Sequence, residues 1–196
     1  MIAFHGDPAT KEKYIARVRA HREADRLVQG FTWESGKGCA VGCTLEAYEH
    51  ERYPSELGVP EEIAYLQDSI FESLTPKEAQ EFPEQFLEAI PIGADLSLVW
   101  NRFAVWMLVD PKHGVIRFAE GEVSRAVIQG VANLHMKAIE GRQVSHDAWD
   151  AASSAAAAAG AADAASYAAD ADAGAAARHA QRDELLRLLR GAPLDG

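Results

Sequence analysis

Between Ala148 and Ala180, 20 of 33 residues are alanine, and no other stretch constrains the fold as strongly. Alanine has the highest intrinsic helix propensity, so this segment reads as helix. It buries little area per residue, so its helices gain stability only by packing very closely against neighbours. The segment 145–190 is therefore predicted as alanine-rich, closely packed helices, with Ser145 as a cap and Gly160 and Gly174 as division points. Leu185, Leu186, Leu188 and Leu189 close the last of them. Asp147, Asp150, Asp163, Asp170 and Asp172 make its exposed side acidic. No strict period recurs, which argues against a repeat array.

Residues 1–144 have a mixed composition, and their punctuation is also helical. Asp7-Pro8 pairs a capping side chain with proline at the first helical position, and predicts a helix to about Gln29 with Gly30 as its stop. Tyr14, Val18, His21, Asp25 and Val28 share one stripe of that helix, while Lys11, Arg19, Arg22 and Arg26 form a basic face. Such a face is either solvated, paired with the Asp-rich tail, or met by an acidic partner. A loop over 30–38 precedes a helix predicted from Cys39 to about Glu51. Ile63, Leu66, Ile70 and Leu74 recur at helical spacing after Pro60. Thr75-Pro76 starts another helix to about Ile90, with Pro83 as a point of reset. Residues 95–109 are apolar almost all round, as in a helix from the middle of a bundle. The competing pattern is a β-hairpin over 103–119, turning at D-P-K-H-G. A further helix covers about Glu122 to Glu140. The fold class expected is an all-α, multi-helix bundle forming a single helical domain over 1–196.

Composition narrows function by exclusion. The chain has 196 residues, 48% hydrophobic and 25% charged, enough for a core and unlike a disordered polymer. Its formal net charge of −11 opposes general nucleic-acid binding, which relies on Lys and Arg displacing counterions. No stretch is apolar and long enough to span a bilayer, so no membrane role is expected. The start M-I-A-F-H-G-D-P lacks the layout of a signal peptide, and two cysteines do not make a secreted disulfide framework. The expectation is a cytoplasmic protein with both thiols reduced.

Those cysteines, Cys39 and Cys43, mark the segment W-E-S-G-K-G-C-A-V-G-C-T, where chemistry is most concentrated. It is not a P-loop: the Gly spacing is wrong, Gly38 follows the lysine where Ser or Thr belongs, and a helix precedes it. Backbone N–H groups around Gly36 to Gly38, helped by Lys37, would still suit a small anionic ligand. Trp33, Glu34, Gly36, Lys37, Gly38 and Cys43 are the candidate binding residues. As a metal site, a helix continued through His50 places Cys39, Cys43, Glu46 and His50 within a narrow arc. Cys39 and His50 would be about 16 Å apart along the axis, so the four cannot share one ion. Cys39, Cys43 and Glu46 would need a further ligand such as His5 or His21, so no metal site is assigned. An iron–sulfur cluster would need two copies of the chain. As a nucleophile, Cys39 at a helix N-terminus beside Lys37 would have a lowered pKa, with His21 as base and Asp25 as its orienter. The bland counterpart is an i,i+4 Asp–His pair and two buried thiols acting as small apolar residues. The sequence leaves the cofactor unknown.

The motifs G-K-G-C-A-V-G-C-T, A-H-R-E-A-D and F-A-V-W-M-L-V-D-P-K-H-G resemble a family of uncharacterised bacterial and phage proteins over most of the length. The alanine-rich helices are also similar in composition to immunity proteins of bacterial toxin systems. Neither resemblance carries an activity over. The acidic surface, alanine-packed helices and lack of a complete catalytic set point to a non-catalytic binding protein of the immunity or counter-defence type, whose partner would be a protein, a second copy of the chain, or a small anionic ligand. The alternatives are a Cys39-dependent enzyme and a metal-binding helical protein.

Overall fold

A computed structural model describes residues 1–158 and 171–194, and among them the architecture is all-α. Its contacts divide the chain into two compact units, Met1–Val99 with Arg182–Gly196, and Trp100–Gln181. The composition shift near residue 145 falls inside the second unit and does not mark the division.

The first unit begins with α1 (Pro8–Glu23), capped as its sequence requires: the Asp7 carboxylate accepts from Ala9 N at 2.9 Å and Thr10 N at 3.2 Å. The helix stops six residues short of Gln29. Asp25 takes a left-handed backbone (φ 53°), and the next residues find partners on a distant segment. Gly38 N donates to Arg26 O at 3.0 Å and Val28 N donates to Gly38 O at 2.9 Å. Tertiary hydrogen bonds thus replace the last helical turns. A ribbon of β1 (Trp33–Glu34) and β2 (Lys37–Gly38) follows, then α2 (Ala40–Leu45). The expected continuation of α2 to Glu51 does not occur. Glu46 adopts a left-handed conformation (φ 57°) and ends the helix, while His50 sits on a separate 3-10 turn, His50–Arg52.

Short α3 (Tyr53–Leu57), α4 (Glu61–Ser73) and α5 (Pro76–Ala89) complete this part of the unit. Thr75 and Glu78 form the capping box of α5, which runs through Pro83 without a reset. The core gathers Tyr14, Val18, Tyr53, Ile63, Ile70, Phe71, Phe82 and Phe86, all fully or nearly fully buried. The basic face of α1 is partly solvated, with Arg19 and Arg26 exposed, and partly paired within its own unit. Arg19 and Arg22 each reach the buried Glu84 at 2.6 Å. Lys11 Nζ donates to the carbonyls of Glu88 (3.0 Å) and Ile90 (2.6 Å) at the end of α5, where a cation meets the negative pole of the helix.

In the second unit, α6 (Val99–Val109), α7 (Gly121–Ile139) and α8 (His146–Ala158) are helices. The hairpin alternative over 103–119 is not formed. Its second arm is a 3-10 turn, Val115–Phe118, and Asp110 closes the intervening bend by accepting from Lys112 N at 2.9 Å and His113 N at 2.8 Å. A Cβ on Gly114 would lie 2.5 Å from Asp110 N, so glycine is required there. The apolar α6 is less central than its composition implies, because Trp106, Met107 and Leu108 are only half-buried. Ser145 caps α8 through Ala148 N at 3.3 Å.

The last helix, α9 (Ala171–Arg190), includes Gly174 without a break, and Gly160 lies outside the described residues. Close packing of the C-terminal helices is carried by Leu185, Leu186, Leu188 and Leu189, all buried, whereas Ala151, Ala155 and Ala157 of α8 are exposed.

His135 of α7 is buried between aromatic rings, with its centroid 4.7 Å from Trp149 and 6.2 Å from Trp100. Its Nδ1 meets Asn101 Oδ1 at 2.9 Å. Burial lowers its pKa below the ordinary 6.5, so below that value the unfolded chain binds the proton more readily. Stability should be constant for this group above about pH 6.5 and fall as pH drops toward its native value. Urea midpoints followed by tryptophan fluorescence between pH 7 and pH 5 should decline, and His135→Gln should flatten that decline.

Candidate functional site

The glycine-rich segment folds around one backbone oxygen. Cys39 N donates to Phe31 O at 2.8 Å and to Thr32 O at 3.1 Å. An added Cβ at either Gly38 or Gly42 would sit 2.2 Å from that same Thr32 oxygen. The spacing G-C-A-V-G is therefore a steric requirement: two glycines one helical turn apart let the 30–32 loop lie against α2. Gln29 holds the loop from the other side, its amide donating to Phe71 O (2.8 Å) and Leu74 O (2.9 Å) at the end of α4.

This packing leaves a cavity of about 260 Å³ lined by Gly30, Phe31, Thr32, Cys39, Tyr48, Asp68 and Glu72. Asp68 and Glu72 stand one turn apart on α4, and neither Lys nor Arg lines the cavity. Single ligand atoms of Cys39, Asp68 and Glu72 lie within 4.8 Å of one another. Asp68 is only 8% exposed. Its Oδ2 accepts from the Tyr48 hydroxyl at 3.1 Å and faces His50 Nε2 at 3.4 Å. Its Oδ1 is buried without a hydrogen-bond partner. The Tyr65 ring stacks on His50 with centroids 4.1 Å apart. Glu72 Oε2 accepts from Gly30 N at 2.6 Å. Burial, with the nearby Asp68 charge adding to it, raises the pKa of Glu72, against the effect of that hydrogen bond.

Both thiols are buried and free. Burial first, then the Asp68 carboxylate, as hydrogen-bond acceptor to the thiol and through its charge, pushes Cys39 well above the ordinary thiol range. Desolvation and a neighbouring anion thus outweigh the terminus of a helix only six residues long. Cys43 is pushed up to about 12, chiefly by burial. Its Sγ lies 3.3 Å from Gly38 O and 3.4 Å from Arg26 O, turned away from Cys39's cavity.

The other expected site residues are dispersed. His21 is buried with Nδ1 unpartnered, Nε2 3.8 Å from Glu46 Oε1, and its ring edge-on to Trp33 at 5.4 Å. Asp25, beyond the end of α1, is exposed, and among the described residues no ion pair joins it to His21. The base-and-orienter arrangement is therefore not assembled. Glu46 pairs with Arg17 at 3.5 Å, so Cys39, Cys43 and Glu46 do not converge as ligands. Glu34 is exposed on the ribbon turn with Gly36 (φ 78°). Lys37 Nζ stands 5.1 Å over the Phe31 ring. The N–H groups of Gly38 and Cys39 already donate to carbonyls of the chain, which leaves neither for an anion.

Tyr48, Asp68 and Glu72 did not emerge from sequence reasoning, and His50 was considered only as a ligand on the same helix as Cys39. Tyr48 and His50 were assigned to a helix that ends before them. Asp68 and Glu72 had one signal, paired carboxylates at i,i+4 on a helix whose neighbours Ala64, Ile70 and Phe71 are core residues. Comparison with protein-family models, with curated proteins and with solved structures finds no significant match to this chain.

Two outcomes follow from this geometry. Gly42→Ala should lower unfolding free energy by at least about 2 kcal/mol in urea titrations, since a methyl there collides with backbone rather than a yielding side chain. In the native protein near neutral pH, both cysteines should react with a thiol reagent at least about tenfold more slowly than in urea. A native Cys39 as fast as the unfolded thiol would contradict the burial described.

Proposed function

We propose that the protein is a non-catalytic binding protein whose first unit holds a cation, or the cationic group of a small molecule, in the Cys39–Asp68–Glu72 cavity. One observation carries this reading. Asp68, which lines the cavity, keeps one buried carboxylate oxygen without a hydrogen-bond partner, and among the described residues no Lys or Arg lines that cavity. A buried carboxylate oxygen without a hydrogen-bond partner is costly, and a bound cation removes that cost. Phe31 (40% exposed) and Tyr48 (45% exposed) line the same cavity and add aromatic faces that attract positive charge.

The charge of the site favours a cation over the anionic ligand expected from the glycine loop. The protonated, enclosed state of Cys39 and the separation of His21 from Asp25 favour binding over nucleophilic catalysis.

Thermal unfolding in the presence of divalent metal ions, organic amines and inorganic phosphate tests the reading. A ligand at a hundredfold excess over its Kd contributes about 2.7 kcal/mol, a rise in Tm of roughly 5–10 °C for a chain of this size. A cation should produce it and phosphate should not, and Asp68→Asn should abolish it. Stabilisation by phosphate alone, or an undiminished cation effect in Asp68→Asn, would refute the proposal.

A further inference from the structure

We infer that the cavity is a divalent transition-metal site of the zinc class, with Cys39 Sγ, one oxygen of Asp68 and one oxygen of Glu72 as protein ligands. This inference rests on the reading of the cavity as a cation site and names the ion class it selects.

The donor set sets the chemistry. A thiolate with two carboxylates matches borderline metals such as Zn2+ and Co2+, whereas Mg2+ and Ca2+ prefer oxygen alone. Tetrahedral zinc with ordinary bond lengths places its donors about 3.4–3.6 Å apart. The three atoms here lie within 4.8 Å, so small side-chain rotations close the set. Binding is balanced by heterolysis of the Cys39 S–H bond: sulfur keeps the electron pair for the metal, and the proton leaves to solvent. With three protein ligands, the fourth position remains for water or a ligand entering past Phe31 and Tyr48.

The outer contacts match those of metal centres. Tyr48 OH and His50 Nε2 both address Asp68 Oδ2, which leaves Oδ1, buried without a partner, as the ligating atom. Gly30 N holds Glu72 Oε2 in the same way. Ligating carboxylates are held by such outer partners, which fix their orientation. The two residues that act on Asp68, Tyr48 and His50, are positioning residues.

Titration of the full chain with Co2+, followed by absorption, decides the matter. The expected result is one equivalent bound with a near-ultraviolet thiolate-to-cobalt charge-transfer band, displaced by Zn2+. The chain has only two cysteines, and Cys43 is turned away from the cavity, so Cys43→Ser should keep the band and Cys39→Ser should lose it. Retention in Cys43→Ser assigns the band to Cys39 even where Cys39→Ser fails to fold. Tyr48→Phe should weaken Co2+ binding about tenfold or more while keeping the band. Absence of the band in the native protein, its loss in Cys43→Ser, or its persistence in a folded Cys39→Ser overturns the inference. Stabilisation by organic amines that depends on Asp68, without any thiolate band, would sink the metal site and leave the cation-binding reading standing. Neither effect would sink both.

Discussion

The contact between the Thr32 carbonyl and the two glycines of G-C-A-V-G organises everything around the candidate site. It brings the 30–32 loop within hydrogen-bonding reach of Cys39 N and seats it on α2. The same segment, through Gly38, recruits Arg26 and Val28, which ends α1 early. A single close approach of backbone to backbone thus sets the end of one helix, the start of another and one wall of the cavity. No side-chain interaction in the first unit has comparable reach, because a Cβ at either glycine would require the loop to move as a whole.

Elements whose ends are written in local chemistry were legible in the sequence. Asp7-Pro8 and Thr75-Pro76 start helices where they should, because an N-cap and a proline at N1 act within one turn. The ends of α1 and α2 were not legible. They are decided by partners far along the chain and by left-handed conformations at Asp25 and Glu46, residue types with no strong bias to stop a helix. The apolar run of α6 led to a central placement because periodicity reports composition around a helix and not the number of neighbours available to cover it. Likewise, the basic face of α1 was visible as a face, but its true partners, Glu84 and the end of α5, required the tertiary arrangement.

The cavity and the segment singled out by sequence share one candidate residue, Cys39. What sequence reasoning misjudged was the balance of forces on that residue. A helix terminus and a lysine argue for a thiolate, but both effects are short-ranged and weak beside full desolvation. Lys37 is spent over the Phe31 ring instead, and the groups that do face the thiol are carboxylates from α4, a helix well removed in the chain. Sequence spacing finds candidate ligands on one element, whereas Cys39, Asp68 and Glu72 are divided between a loop–helix junction and a distant helix turn.

The protein also provides its own comparison for the charge at the site. Glu84 and Asp68 are both buried carboxylates, each 8% exposed. Glu84 is met by two guanidinium groups, from Arg19 and Arg22. Asp68 is met by the Tyr48 hydroxyl and faces the His50 ring; each carboxylate keeps one oxygen without a hydrogen-bond partner, but Glu84 Oε2 has the Arg22 guanidinium 2.6 Å away. Arginines thus meet the buried Glu84, whereas among the described residues no Arg or Lys pairs with Asp68. Burying an anion beside a thiol and a second carboxylate disfavours the empty fold, and core packing alone gives no reason for it. The proposed cation site would give one: the cost of burying Asp68 in the empty fold would be recovered when the cation binds.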